Sequence, residues 1–409
     1  MTGEVATDSL RPVEGGVTAA RGFRAAGVSA GLKAEGRRDV ALIVADEPAA
    51  AAAMFTRNAV VAAPVVVSRE AVSGGVVQAV AINAGNANAC TGVRGLADAR
   101  DVAAHTASVL GIAPGLVAVA STGVIGVPLP LDMVCSGVTA AAGALEPSGG
   151  QLAAEAIMTT DTSAKQAAFR VAVGDEAYTV GGMAKGSGMI RPDMATMLAF
   201  ITTDAPLSAR ACDTALRGAV ATSFNRVTID GDTSTNDMVL LMASRAAGGA
   251  IIEEADPSFG PVAHAVHRVC EELARMIARD GEGATTLVDV LVTGAADDAD
   301  AALVAFTVAE SPLVKTAVFG RDANWGRVAM AVGRSHARID PARLEIRFAG
   351  ILTCEEGTAV PFDEDAALAA LSASEVEIAV DLHVGEASAR VWTCDLTCDY
   401  VKINADYRT

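Results

Sequence analysis

"GGMAKGSGMIRPDMATMLAFITTDA" (residues 181–205) combines a glycine-rich turn carrying Lys185, the short segment "MATML" and an apolar run. "LAFITTDA" (198–205) reads as a buried strand, being a short apolar stretch that follows turn residues. Pro192 and the glycines hold the approach in a defined turn. Thr196 therefore lies where the turn passes into the strand, and a hydroxyl among apolar neighbours must either be hydrogen-bonded or do chemistry. Ala195 is small and leaves the preceding peptide bond sterically open. If that bond were cut, Thr196 would be an N-terminal nucleophile with its own α-amine as the base. Such an amine has a reference pKa of about 7.7–8.0 and works near neutrality without histidine.

Around this segment, strand-like and helical patterns alternate. "VALIVAD" (40–46), "GVVQAVAINA" (75–84) and "LVAVAS" (116–121) are short, valine-rich runs bounded by turn residues. "ARDVAAHTASVLG" (99–111), "SARACDTALRGAVATS" (208–223) and "PVAHAVHRVCEELARMIARDG" (261–281) carry apolar residues at helical spacing, the last ending on a glycine stop. "VEIAVDLHV" (376–384) and "ARVWTCDLT" (389–397) alternate around "GEAS" and predict an antiparallel hairpin. "AADDADAAL" (295–303) reads as a surface turn. The mixture predicts an α/β (α+β) layered fold.

At 409 residues the chain is long enough for two domains or two large lobes. Hydrophobic residues make up 51% and charged residues 20%, enough for a sizeable interior. Lys+Arg 31 against Asp+Glu 49 gives −18, which opposes binding to nucleic acid or anionic membranes. The N-terminus "MTGEVATDSLRPVEGG" lacks an apolar signal core, and no apolar stretch is long enough to predict a membrane span. The seven cysteines are scattered without CxxC spacing, so reduced thiols in a cytoplasmic protein are expected.

No GxxxxGK[ST] and no strand-borne GxGxxG occurs, and Gly-Ser-Gly at 186–188 is not a GxSxG elbow. His264 and His267 lie three apart on a helix without a third ligand nearby, so a helix-surface role is expected and no metal. The polar chemistry concentrates in short glycine-rich segments: "NAGNANACTG" (83–92), "STGVIG" (121–126), "MTTDT" (158–162), "KGSGMIRPDMAT" (185–196), "TIDGDTSTND" (228–237), "DGEGATT" (280–286), "FGRDANWGR" (319–327) and "KINADYRT" (402–409). Clusters of such loops line small-molecule pockets, because their freedom lets main-chain N–H groups converge on a ligand. Asp232 and Asp237 lack EF-hand spacing, which leaves them a loop-ordering role rather than calcium.

These segments, with "GGVTAARGFRAAGVSAGLK" (15–33), "SFNRV" before Thr228 and "SPLVKTAVFGRDANWGRVAMAVG" (311–333), closely resemble the ornithine acetyltransferase family of arginine biosynthesis from end to end. The resemblance implies two β-sheets layered between helices and a chain that cuts itself between Ala195 and Thr196. The pieces, 1–195 (alpha) and 196–409 (beta), would stay together as a heterotetramer of two alpha and two beta chains. It implies ping-pong acetyl transfer from N-acetylornithine to glutamate with no cofactor. Thr196 matches the nucleophile, and Thr122 and Gly123 match the oxyanion-hole pair. Thr159, Lys185, Thr196, Glu282, Asn404 and Thr409 match the substrate-binding positions. Lys185 suits an amino-acid carboxylate and Glu282 an ammonium group or proton transfer, and the C-terminal tail should fold back into the pocket. Arg191 and Asp193 make the segment before the cut more charged than the common pattern. A self-processing amidohydrolase or aminopeptidase is the competing enzyme class, and a non-catalytic binder the competing non-enzyme. The absence of a pyrophosphate-binding signature predicts a monofunctional enzyme that uses acetyl-CoA poorly; a bifunctional enzyme is the alternative.

Overall fold

The computed structural model describes residues 10–191 and 197–406. One large sheet is built from β1 (Leu10–Pro12), β2 (Phe23–Val28), β3 (Val40–Phe55), β4 (Val76–Asn86), β5 (Val117–Val124), β6 (Lys165–Val173), β7 (Glu176–Lys185), β8 (Leu198–Thr203) and β9 (Met238–Ala243). Its order is β1-β6-β7-β8-β9-β3-β4-β5, with β2 also paired to β3. A smaller six-stranded sheet contains β10 (Leu287–Ala295), β11 (Glu345–Phe348), β12 (Ile351–Glu355), β13 (Thr358–Ala359), β14 (Glu375–Asp381) and β15 (Ala387–Cys394).

The long strand β3 turns the large sheet into two layers. Its first half pairs with β2 and β4, and its second half pairs with β9. The register shifts between Val44 and Ala49, across the exposed Asp46, Glu47 and Pro48, a place where a proline costs no ladder bond. Strand alternation then sorts the side chains. Ala41 and Ile43 share an inner core with Met183, Leu198, Phe200, Met238 and Leu240. Val40, Leu42 and Val44 face outward against helices α2 (Gly92–Leu110) and α3 (Leu131–Gly143), which follow α1 (Ala63–Val72). A further helix, α4 (Gly150–Ile157), adds Ala153, Ala154 and Ile157 to the inner core. The outer face of β7–β9, through Val180, Ile201 and Leu241, packs on α5 (Ala209–Thr222) and α6 (Phe259–Arg279). The expected sandwich is present as helix, sheet layer, sheet layer, helix, with β3 common to both layers of the large sheet. The smaller sheet forms a separate core with α7 (Asp298–Ala309), α8 (Pro312–Phe319) and α9 (Trp325–Gly333).

Three expectations need correction. β14 and β15 do not pair with each other. β10 lies between them, parallel to β14 and antiparallel to β15. Each strand's alternation reports one buried face and says nothing about which neighbour it pairs with. "AADDADAAL" is not a surface turn: Asp297 accepts from Asp300 N and caps α7, as a carboxylate at a helix N-terminus should. The strand expected at 40–46 continues to Phe55 through an alanine-rich stretch, where pairing with β9 overrides alanine's preference for helix. Among the described residues, no single helix is long and apolar enough to cross a membrane.

Candidate active site

Strands β4 and β5 run parallel and end side by side, with Ala84 opposite Thr122 and Gly85 opposite Gly123. Gly123 has φ +129, and a Cβ there would stand 2.4 Å from the Gly85 carbonyl carbon. Only glycine lets the two strand ends approach this closely. Ser121 Oγ donates to Asn83 Oδ1 (2.6 Å), and Asn236 Nδ2 donates to the Ser121 and Ala87 carbonyls at 2.9 and 2.7 Å. These bonds tie three of the glycine-rich segments into one wall behind Thr122 and Gly123.

Lys185 ends β7 opposite Leu198 of β8 and is 3% exposed. Its Nζ donates to Thr122 Oγ1 at 3.3 Å, so the structure brings these two predicted residues together directly. Burial pushes the Lys185 ammonium below its usual range, and Asp161 is the foremost group opposing that shift. Beyond Lys185 the chain turns sharply. Met189 N and Ile190 N donate to Asp230 at 2.6 and 2.9 Å, and the Ile190 carbonyl accepts from Ile229 N at 2.8 Å. Just before β8, Met197 N donates to Asp237 Oδ1 at 3.0 Å. Asp237 is fully buried and, among the described residues, its Oδ2 lacks a hydrogen-bond partner. Burial raises this carboxyl well above the usual carboxylate range.

Glu282 is attached to the same turn. Its N–H donates to the Ser187 carbonyl (2.9 Å), and a Cβ on Gly188 would strike its carboxylate at 2.5 Å. Asn404 Nδ2 donates to Glu282 Oε2 at 2.8 Å from the C-terminal helix (Cys398–Asp406), which packs against the 281–284 turn. Thr397 Oγ1 fastens it to the Gly283 carbonyl at 2.7 Å. Thr159 is half-buried and joins the group through its N–H, which donates to Asp161 Oδ2 at 2.9 Å. Ala195, Thr196, Thr409 and Asp193 lie outside the described residues. Arg191 pairs with Glu310 at 2.9 Å.

Not every glycine-rich segment contributes. "FGRDANWGR" sits between α8 and α9, where Asn324 caps α9 and Arg327 donates to the Leu313 carbonyl. It is a helix junction in the smaller lobe. Loop ordering in "TIDGDTSTND" rests on Asp230 and Asp237, and Asp232 donates its N–H to Asp230 Oδ1. Sequence reasoning missed Asp161, Lys165, Asp230 and Asp280 as site residues. Three of them stand in flagged segments, and their signal was a carboxylate among small residues. His267 bonds to Thr222 at 2.9 Å on the surface of α6.

Fold and site together define an α/β protein whose strand ends and loops enclose a polar centre, with a buried ammonium and a carboxylate facing it. Residues 24–409 match the ArgJ family, and the chain belongs to that family. It is 54% identical over 397 residues to the arginine biosynthesis bifunctional protein ArgJ of Symbiobacterium thermophilum, covering 97% of this chain and 99% of that one. To the protein of the same name from Bacillus licheniformis it is 45% identical, covering 99% and 100%. Among solved structures, it is similar to the ArgJ of Bacillus halodurans, with 44% identity, a TM-score of 0.49 and coverage of 50% of this chain and 97% of that one.

Proposed function

We propose that the chain transfers an acetyl group from N2-acetyl-L-ornithine to L-glutamate through an acyl-enzyme on Thr196, after cutting itself between Ala195 and Thr196. The observation that carries this reading is the buried Lys185 ammonium. One of its N–H groups is bonded to Thr122 Oγ1, and Glu282 faces the same turn. That pair is sized for the carboxylate and ammonium of an amino acid.

The chemistry then runs on this chain's own groups. The Thr196 α-amine takes the proton from Oγ, and Oγ attacks the acetyl carbonyl. Thr122 Oγ–H and the Gly123 N–H hold the tetrahedral oxyanion, a contribution of roughly 3–4 kcal/mol per donor. The ornithine nitrogen leaves with the proton. The glutamate amine next attacks the acetyl-threonine ester and returns the proton to Oγ. Lys185 binds the α-carboxylate of either substrate, Glu282 the ornithine ammonium, and Asn404 orients Glu282. Thr159 and Thr409 complete the pocket. We place the enzyme in the cytoplasm as a heterotetramer of the 1–195 and 196–409 pieces.

The test is isotope exchange without acceptor. Labelled ornithine should enter N-acetylornithine in the absence of glutamate, because the first half-reaction is reversible. No exchange in an active preparation would remove the acyl-enzyme, and glutamate-independent loss of N-acetylornithine would identify a hydrolase. A second reading has its own support. The curated relatives carry the word "bifunctional" in their name, which favours acetyl-CoA as a further donor, against the monofunctional expectation drawn from the missing pyrophosphate signature. Glutamate acetylation assayed with each donor at saturation decides between them: comparable turnover establishes the bifunctional reading.

A further inference from the structure

Behind the site lies a buried ion trio that this mechanism does not use. Lys165 opens β6 with its side chain 1% exposed, and its Nζ donates to Asp161 Oδ1 at 2.7 Å and to Asp280 Oδ2 at 2.5 Å. The Asp161 side chain is 0% exposed and that of Asp280 is 9%. Burying three charges costs several kcal/mol per ion unless every lone pair and proton finds a partner, and apolar replacements of similar volume are often no less stable. Stability alone is therefore a poor reason for ions here.

The remaining bonds of the trio indicate another role. Asp161 Oδ1 also accepts from Gly186 N (2.7 Å), the residue after Lys185, while Oδ2 accepts from Thr159 N (2.9 Å). Asp280 takes both the N–H and the hydroxyl of Thr162, and its carbonyl accepts from Ser187 Oγ at 2.6 Å. Two residues on, Glu282 N donates to the Ser187 carbonyl. One carboxylate thus holds Thr159 and the Lys185 turn. The other holds the turn that carries Glu282.

We propose that Asp161, paired with Lys165, is a positioning residue for the acetyl transfer: it fixes the Lys185 and Thr159 segments on one carboxylate and supplies the countercharge for the Lys185 ammonium. The proposal rests on the reading above, in which Lys185 meets the substrate carboxylate. Among the described residues no carboxylate lies within ion-pair distance of Lys185, so its charge is balanced from further away. The charged groups around it are Asp161 and Lys165 at the head of β6, Asp237 before β9, Glu282 after α6 and Lys33 after β2. Burial raises the Asp237 carboxyl well above the usual carboxylate range, which favours its neutral form. Lys33 is already drawn down to about 8 by burial, and its Nζ is spent on the Arg38 and Ala156 carbonyls at 2.6 and 2.8 Å. Burial alone would raise the Asp161 carboxyl, but Lys185 and then Lys165 reverse this and hold it well below the usual carboxylate range. Asp161 therefore stays charged wherever the enzyme works, and Lys165 competes with Lys185 for that charge.

The competition predicts opposite effects from the two halves of one ion pair. In Asp161→Asn the countercharge is lost, so Lys185 deprotonates at lower pH. The alkaline limb of kcat/KM for N-acetylornithine should move about one unit toward acid. In Lys165→Met the rival cation is lost, and the same limb should move toward alkali. A scaffold that merely supports the site would lower turnover in both variants and move neither limb. Limbs that stay put, or move in the same direction, overturn the proposal. If Asp161→Asn does not fold, Lys165→Met decides alone, an alkaline displacement supporting the proposal and any other result overturning it. Failure of both to fold would also overturn it, by making the trio scaffold. A Thr196→Ala control separates the two layers of inference. Transfer activity surviving in it would sink the acyl-enzyme reading itself, whereas loss of activity there with unmoved limbs would sink only the role of Asp161.

Discussion

Lys185 donates a hydrogen bond to Thr122 in the candidate site, and residue-scale predictions begin with that pair. Thr122→Ala removes one oxyanion donor, so kcat should fall on the order of 10²-fold with a smaller change in KM. Unchanged turnover in a correctly cut variant would take Thr122 out of the mechanism. Gly123→Ala acts differently. The new methyl would meet the Gly85 carbonyl carbon at 2.4 Å in a backbone with φ +129, so strain of about 1–3 kcal/mol or more should appear as a lower denaturation midpoint. Asp237 carries a pH signature. Its folded pKa lies above its unfolded one, so the folded state binds the extra proton and stability declines as pH rises through and above the usual aspartate range. Asp237→Asn keeps an acceptor for Met197 N and should flatten the stability profile from about pH 4 upward, measured by urea unfolding at several pH values. A profile as steep as the parent's would show that the buried carboxyl is not the source. At this scale the sequence was most legible. Thr122, Lys185 and Glu282 stood in glycine-rich segments and fall together in the fold. Asp161 was not singled out because its importance lies in bonds to Thr159 and Gly186, and such contacts leave no local pattern.

Elements were readable where their signals are local. The spacing within α2, α5 and α6 predicted helices, and Ser208 is the cap of α5 in fact, accepting from Ala211 N at 3.1 Å. Ser208→Ala should cost about 1 kcal/mol, read from the shift in chemical denaturation, and an unshifted midpoint would contradict that assignment. Elements became illegible where partners are distant. Strands β14 and β15 each show the right alternation, yet β10, which precedes β14 by the whole of residues 296–374, inserts between them, a pairing too distant in sequence to leave a local signal. The continuation of β3 past Pro48 depends on β9 as its partner, and no window of sequence around alanine-rich residues 49–53 contains that information.

The whole molecule interleaves the two proposed pieces. β8 and β9 come after Thr196, yet they lie between β7 and β3 in the middle of the large sheet. Cutting the connection between β7 and β8 therefore removes no strand pairing, and the inner core draws Met183 from one piece and Phe200 from the other. The pieces should co-elute in native size-exclusion chromatography and separate only on denaturation; native dissociation would contradict that interleaving. The most direct test of the central claim is denaturing mass spectrometry of the purified active enzyme. Cleavage by Thr196 predicts two masses, for residues 1–195 and 196–409, and a single uncut mass in Thr196→Ala. One intact chain of 41.2 kDa in a fully active wild-type preparation would contradict it.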